Sequence, residues 1–356
     1  MRLAAACLLV VLWLPVPVVA GDAFEIAEVA DGVYIAMRRP TAPMAIGSNA
    51  AIIINESGVL VVDTHYTPSA ARALLAEIRK LTDKPVRYVV NTHWHNDHVQ
   101  GNQAYFNVFP GALEFISSHA TREDIEGKAV PSAKQELESL PAQITRGEEQ
   151  LARGLGPEGQ PLTDEQKQQR RSQLNRQKAY LEELRGLQIT LPTLTFDHSL
   201  ILHRHERPIH VLFFGRGHTR GDVVVYLPNE KIVITGDLVT GAASWPFPRD
   251  SYPAAWARTL RAIAALDFTR LIPGHGAVHP DKAHVERLSA LFASIAEQVR
   301  AALGQGLTLE QAQQKVNVDA LRDAITRDPR EVRAFQHDLK VLVARAYLEA
   351  KAEPDK

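Results

Sequence analysis

The octapeptide NTHWHNDH at residues 91–98 decides how the rest of this chain is interpreted. It follows Val86 to Val90 (VRYVV), a short β-branched and aromatic run that predicts a buried strand. The strand runs into three histidines and one aspartate, His93, His95, Asp97 and His98. Imidazoles held on one turn beside a carboxylate are donors with which proteins bind divalent metals. The alternative is a histidine-rich polar loop without function, which the regular offset of Asp97 and matching residues downstream disfavour.

The overall composition is that of an ordinary globular protein. The chain has 356 residues, of which 45% are hydrophobic and 23% charged, and its net charge is −1. This length suffices for one large domain or two smaller ones. The near-neutral charge gives no electrostatic reason to expect a nucleic-acid partner.

The N-terminus predicts export. Residues 1–20 combine one early arginine, an apolar run and a small residue, Ala20, at the expected cleavage point, as a secretory signal peptide does. A membrane anchor is the alternative, but Pro15, Pro17 and the polar residues that follow argue against a full span. We therefore expect a periplasmic or secreted protein with no membrane span after cleavage. Cys7, the only cysteine, would leave with the signal, so a metal site must use nitrogen and oxygen donors.

Alternation of strand and helix patterns predicts an α/β fold. Strands are predicted at 33–37, 51–54, 59–62, 114–117, 194–202, 209–214, 223–227 and 231–235, and helices at 68–81 and 254–266. Residues 121–187 are rich in Glu, Gln, Arg and Lys with leucines at helical spacing, which predicts a helical-hairpin insertion. We expect a domain over 21–280 that contains this insertion, then a helical C-terminal extension over 281–356. Thr163 with Gln166 resembles a capping box within the insertion, and Thr308, Asp319 and Asp328 are the predicted helix caps of the extension. The insertion is interpreted as a solvated structural arm, with a lid or an oligomerisation surface as alternatives.

Further acids and histidines stand where predicted strands end. Asp63 and Asp237 each follow an apolar strand, His218 lies in GRGHTRGD, and His275 lies in PGHG. Each has an ordinary explanation: Asp63 could cap the helix at 68–81, and the others could be turn residues. Together with the residues of the octapeptide they supply enough ligands for two metal ions that share a carboxylate. The seven candidate ligands are His93, His95, Asp97, His98, His218, Asp237 and His275.

These motifs resemble those of the metallo-β-lactamase superfamily. The resemblance rests on Asp63, the H-x-H-x-D-H run at 93–98, His218 in GHTRGD, Asp237 and His275 in PGHG, and covers roughly residues 24–280 without the insertion. It implies a four-layer αββα sandwich with the site along one edge of the two sheets. The motif set is specific for the superfamily and not for any substrate.

The resemblance also implies a role for each residue. His93, His95 and His218 would hold a first zinc ion, Asp97, His98 and His275 a second, and Asp237 would bridge the two. Asp63 would orient a ligand histidine or the loop backbone. Nitrogen and oxygen donors also suit iron or manganese.

The implied activity is hydrolysis by a hydroxide held between two zinc ions, with Asp97 orienting the hydroxide and passing on its proton. The substrate would be a small molecule with an amide, ester or thioester bond, such as a β-lactam, a lactone or an acyl thioester. The loop at 242–252, which contains Trp245, Phe247 and Tyr252, is expected to form an apolar wall of the pocket, with packing over the core as the alternative. Trp94 is expected to be a packing anchor and not a substrate contact. True β-lactamases usually have cysteine or serine near the place of Asp237, whereas glyoxalase-type thioesterases and lactonases have an aspartate there. Asp237 therefore argues against antibiotic hydrolysis as the main activity, while export argues for it.

Two other functions fit the same sequence. An iron-loaded version of the site would suit an oxidoreductase or dioxygenase. A non-catalytic periplasmic accessory protein would use the insertion to dock onto a partner. A nucleic-acid-processing enzyme is disfavoured by the export signal and by the absence of a basic patch in the sequence.

Overall fold

Two mixed β-sheets lie face to face in the computed structural model, which describes residues 23–203, 207–241 and 248–352. The first sheet contains β1 to β7 in chain order: Phe24–Ala30, Val33–Arg38, Ala50–Ile54, Val59–Val62, Val86–Val90, Glu114–Ser118 and Leu194–Phe196. The second has the order β12-β11-β10-β9-β8, where β8 to β12 are Ser199–Leu202, Ile209–Leu212, Val224–Leu227, Ile232–Ile234 and Arg270–Ile272. β4 to β7 are parallel to one another, and β11 is parallel to β12.

Alternate residues of each inner strand face different layers. On β3, Ile52 packs with the helices outside the first sheet, whereas Ile53 packs in the core between the two sheets. The outer helices of this side are α1 (Pro68–Leu81) and α3 (Asn102–Val108), separated by the short α2 (Asn96–Val99). Thr67 caps α1 by accepting a hydrogen bond from Ala70 N, so Asp63 is not its cap.

The fourth layer covers the outer face of the second sheet. It consists of α7 (Pro253–Ala264), α8 (Ala283–Gly304) and α11 (Pro329–Ala352), with the short α9 (Leu309–Lys315) and α10 (Asp319–Asp323) between the last two. Trp256 and Phe292 stack at its centre with ring centroids 4.3 Å apart. The predicted αββα sandwich with a helical C-terminal region is thereby confirmed. No helix in the described ranges is both long and apolar enough to cross a membrane.

Two local predictions are wrong. Residues 194–202 do not form one strand, because the chain crosses from the first sheet to the second at Asp197 and His198, between β7 and β8. The apolar residues on both sides of this crossing are indistinguishable in sequence from one strand. Asp319, expected to cap a helix, is instead the first residue of α10, with Val318 in the cap position. The predicted caps of α9 by Thr308 and of the insertion's second helix by Thr163 are confirmed.

The insertion forms a long helical hairpin. It consists of α4 (His119–Asp124), a π-helical turn (Ile125–Ala129), α5 (Val130–Ala152) and α6 (Asp164–Arg185). Two contacts fasten α6 to the domain. Tyr180 packs on Tyr66 with ring centroids 4.7 Å apart, and the Glu183 carboxylate accepts hydrogen bonds from Ser69 N and Oγ at 2.8 and 2.6 Å. The interpretation as a solvated arm therefore holds for the outer surface of the hairpin and not for the surface that faces the domain.

Candidate metal centre

The topology brings the candidate residues to one edge of the sandwich. Asp63 directly follows β4, and the octapeptide at 91–98 directly follows the neighbouring parallel strand β5. In the second sheet, Asp237 and His275 follow the parallel strands β11 and β12. His218 lies in the loop that joins β9 to β10. Since the carboxyl ends of parallel strands meet at the same edge, residues far apart in sequence become neighbours.

Three imidazoles form the first cluster. His95 Nδ1 lies 3.1 Å from His93 Nε2 and 2.9 Å from His218 Nε2. Asp237 Oδ2 lies 3.9 Å from His93 Nε2 and 3.6 Å from His218 Nε2. Burial lowers the pKa of all three histidines, so the imidazoles are neutral and their lone pairs are available to a cation.

The second cluster lies on the other side of Asp237. Its Oδ1 atom is 3.5 Å from His98 Nε2 and 3.3 Å from His275 Nε2. Asp97 Oδ2 is 3.7 Å from His98 Nε2 and 3.4 Å from His275 Nε2. The two clusters thus share Asp237, with one carboxylate oxygen facing each. Burial opposes the ionisation of Asp237, but His275 and His98 outweigh it and hold the pKa of this carboxyl well below its usual range.

The donor set fits metal ions. His98 Nε2 and Asp237 Oδ1 are buried and have no hydrogen-bond partner among the described residues. A buried polar atom without a partner costs about 1–3 kcal/mol, so such atoms need an explanation. A cation between them would satisfy both at once. Four donor groups converge on the first position, and Asp97, His98 and His275 with the shared carboxylate converge on the second.

Asp63 fixes the orientation of His98. Its Oδ2 atom accepts a hydrogen bond from His98 Nδ1 at 2.7 Å, which leaves Nε2 of the same ring pointing at Asp97 and Asp237. Its Oδ1 atom accepts from the backbone N–H of Thr92 at 2.8 Å, and the Thr92 hydroxyl donates to Oδ2. The predicted tasks of Asp63, orienting a ligand histidine or the loop backbone, correspond to these two sets of contacts.

Glycines let the ligand loops approach one another. A Cβ atom on Gly274 would lie 2.0 Å from Asp237 Oδ1, so no larger residue fits beside this carboxylate. Gly47 has a φ of +77°, and a Cβ there would lie 2.4 Å from Asp97 Cβ. Gly274 was visible in sequence as part of PGHG, whereas Gly47 has no motif that points to it.

Several supporting residues were missed by sequence reasoning. Ser48 Oγ donates to the Asp97 carbonyl at 2.6 Å, and Asn49 Nδ2 donates to the carbonyls of Pro273 and Gly276 on either side of His275. Asp222 accepts hydrogen bonds from Thr219 N and Oγ1, both at 2.8 Å, and so closes the loop that carries His218. Burial raises the pKa of Asp222 to about 7. Only Asp222, within GHTRGD, belonged to a motif that the sequence singled out.

A cavity of about 470 Å³ opens beside Asp97. The end of β2, the loop at 45–47 and the inner surface of α5 and α6 line it. Asp97 is the one candidate ligand in its wall, and its side chain is 24% exposed against 8% for Asp237. The cavity therefore gives a small molecule access to the second cluster past the insertion.

Two aromatic predictions have different outcomes. Trp94 packs with Val99, Ile125 and Ala129 and contacts the His95 ring edge-on, as expected of a packing anchor. The predicted apolar pocket wall at 242–252 lies largely at residues 242–247, outside the described part of the chain.

A sequence model of the metallo-β-lactamase superfamily matches residues 44–275, well over half of the chain. The chain belongs to this superfamily. Its membership confirms the assignment made from the H-x-H-x-D-H run and its downstream partners, and it places the chain in a superfamily of metallo-hydrolases.

Relatives within the metallo-β-lactamase superfamily are distant. A linear primary-alkylsulfatase from Pseudomonas sp. is 25% identical over 276 residues, which are 73% of this chain and 48% of that protein. The chain thus spans about half the length of this relative. A type 2 metallo-β-lactamase from Bacillus cereus is 22% identical over 66% of this chain and 69% of its own length. The solved metallo-β-lactamase from Pontibacter korlensis superposes with a TM-score of 0.53 at 18% identity, over 76% of this chain and 98% of its own, which supports the fold.

Proposed function

We propose that this superfamily member is a metal-dependent hydrolase that binds two zinc ions and cleaves an amide, ester or thioester bond of a small molecule. The observation that carries the proposal is the placement of Asp237. Each of its carboxylate oxygens faces a separate set of imidazoles, at 3.6–3.9 Å in the first cluster and 3.3–3.5 Å in the second. A carboxylate shared between two donor sets suits a binuclear site.

Each of the two clusters would bind one metal ion. His93, His95 and His218 with Asp237 Oδ2 would hold one ion, and Asp97, His98 and His275 with Asp237 Oδ1 the other. Metal ions in such a site polarise the bond to be cleaved and lower the pKa of water from about 15.7 towards 7. Asp63 contributes by holding His98 in the tautomer with a free Nε2 lone pair.

Asp97 is the residue proposed to move a proton. It is the more exposed of the two acids in the clusters, and it lines the cavity through which a substrate would arrive. Its Oδ2 atom faces His98 and His275, so its other carboxylate oxygen is available to a substrate or a water. Proton transfer by such a group typically contributes about 10²–10⁴ in rate.

A second candidate is hydrolysis of sulfate esters. The relative named as a linear primary-alkylsulfatase is matched over 73% of this chain, a larger share than the 66% matched by the Bacillus cereus metallo-β-lactamase. The same donor set would serve either reaction, because both need an activated water and stabilisation of the charge that develops on oxygen.

Metal analysis coupled to a substrate panel tests the proposal. The purified protein would be assayed for zinc, iron and manganese, then for hydrolysis of β-lactams, lactones, acyl thioesters and alkyl sulfates. We expect two zinc ions per chain, with both the metal content and the hydrolysis lost in His95→Ala. The matched control is His119→Ala, which removes an exposed histidine outside both clusters. Full hydrolysis by metal-free protein contradicts the proposal. Iron in the purified protein, together with consumption of oxygen, supports the oxidoreductase instead.

A further inference from the structure

The cavity beside Asp97 contains two cationic side chains without an acidic partner. Arg38, at the end of β2, and Arg176, on α6, both line it. Within the described residues, no carboxylate lies within 4.0 Å of either guanidinium. Six other described arginines have such a partner: Arg72, Arg185, Arg207, Arg220, Arg322 and Arg330. Arg176 is half-buried, so its charge is partly removed from water.

The two acidic side chains that line the same cavity already contact other groups. Glu136 on α5 accepts the hydroxyl hydrogens of Tyr66 and Tyr180, one on each carboxylate oxygen, at 2.8 and 2.6 Å. Burial and the Glu136 carboxylate raise the pKa of both tyrosines, so both hydroxyls stay protonated and bound to it. Asp97 points Oδ2 at His98 and His275. The groups left without a partner are therefore mainly N–H donors, because each guanidinium carries five.

We propose that Arg38 and Arg176 bind an oxyanion group of the substrate, while the bond to be cleaved lies at the metal centre next to Asp97. This inference rests on the proposed function. Guanidinium groups pair with carboxylate, sulfate or phosphate through two parallel hydrogen bonds, whereas a neutral group offers fewer acceptors and no charge. Ile46 and Leu140 line the same cavity, which suits a substrate with a hydrocarbon segment as well as the anion. Arg38 on the domain and Arg176 on the insertion thus select the substrate by charge.

Matched substrates test the inference by kinetics. 4-Nitrophenyl hydrogen glutarate carries a terminal carboxylate, and 4-nitrophenyl pentanoate is a neutral ester of the same chain length. We expect a higher kcat/KM for the glutarate. Arg176→Gln and Arg38→Gln should each lower that value about tenfold through KM, the loss expected for a charge-assisted hydrogen bond, and leave the pentanoate value unchanged. Arg176→Lys should keep part of the preference. Arg171→Gln, on the outer surface of the same helix, is the control and should change neither value.

Calorimetric titration of the metal-free protein supplies a readout that does not depend on hydrolysis. Hexanoate and hexanesulfonate would be compared with hexan-1-ol. Binding of either anion, and its loss in the Arg38→Gln/Arg176→Gln double variant, supports the inference and identifies a carboxylate or a sulfate as the preferred group. An unchanged substrate preference in the double variant, or no anion binding by the wild type, overturns it.

The two proposals fail in different ways. Anion binding without hydrolysis of any ester or sulfate sinks the hydrolase proposal and leaves the arginine pair standing as an anion site. Hydrolysis of both esters at equal kcat/KM leaves the hydrolase standing and sinks the arginine pair. Circular dichroism and a thermal melt of each variant exclude misfolding as the cause of a loss.

Discussion

Replacing Asp63 with asparagine isolates the hydrogen bond that orients His98, one of the candidate metal ligands. Asp63 has a φ of +61°, a backbone conformation that asparagine tolerates well, so the exchange should preserve the turn after β4. The single oxygen of the new amide can still accept a hydrogen bond from Thr92 N. The amide nitrogen then faces His98 Nδ1, where an acceptor stood at 2.7 Å.

The size of the effect follows from the tautomer of His98. A hydrogen on Nδ1, donated to Asp63, leaves the Nε2 lone pair directed at Asp97 and Asp237. With asparagine at position 63, the His98 tautomer that carries its hydrogen on Nε2 becomes more favourable. That hydrogen prevents Nε2 from binding a cation. Removing such a supporting acceptor typically weakens metal binding about 10–100-fold, or about 1.4–2.7 kcal/mol. The first cluster does not include His98, and Asp63 reaches it only through the Thr92 hydroxyl, which lies 3.0 Å from His93 Nδ1. The metal affinity of the first cluster should therefore fall by less than that of the second.

Competition with a chromophoric chelator measures both affinities in one titration. Glu183→Gln is the matched control, because Glu183 also accepts a backbone N–H and a hydroxyl hydrogen but lies on the insertion, outside both clusters. We expect the control to bind both ions as the wild type does. Equal affinities in Asp63→Asn and wild type would refute the argument and would mean that packing alone orients His98.

Three further predictions follow. Gly274→Ala should empty both metal positions and lower the melting temperature, because its Cβ would lie 2.0 Å from Asp237 Oδ1. The control Gly304→Ala should bind metal normally, because among the described residues no side chain or neighbouring segment lies within 4 Å of its Cβ. Equal metal content in the two variants would contradict the clash. Metal affinity should fall as pH is lowered from 10. Burial disfavours a proton on His98, but Asp63, Asp97 and Asp237 outweigh the burial and raise the pKa of His98 to about 10, so a metal must displace that proton. Calorimetry in two buffers of different ionisation enthalpy should count at least one proton released, and a count of none would contradict the prediction. Expression with residues 1–20 in a Gram-negative host should give periplasmic protein whose intact mass is that of a chain starting at Gly21. Unprocessed protein in the cytoplasm would contradict the signal-peptide prediction.

Helices and strands were predictable from sequence where the spacing of apolar residues and the turn or capping residues at their ends indicate the same element. β4 at Val59–Val62, α1 at Pro68–Leu81 and β5 at Val86–Val90 have the predicted bounds. Each combines a clear apolar period with a cap or a turn at its ends. The strand predicted at 194–202 failed because nothing in an apolar run tells which of two sheets it joins. That choice depends on the partner strands, β6 for the first part and β9 for the second.

The grouping of the candidate ligands was predictable for a different reason from their supporting residues. His93, His95 and His98 lie so close in sequence that the motif alone identifies them, and the downstream histidines stand in glycine-rich turns. Thr92, Ser48 and Asn49 each act through one or two hydrogen bonds to residues that are distant in sequence. A hydroxyl or amide of that kind leaves no periodic signal, so only the folded chain reveals it.

The insertion shows where composition misleads. On α6, Tyr180, Leu181 and Leu184 are buried in a cluster with α5 and Tyr66, whereas Arg176 and Gln177 line the cavity. A helix surface of arginine and glutamine has the same sequence pattern whether it faces water or a binding pocket, because both surroundings suit polar side chains. What separates the two cases is the group opposite the helix, here Asp97 and the loop at 45–47. An arginine that meets no acid on such a surface is therefore a candidate for binding an anionic ligand, and the charge-matched esters test whether it does so.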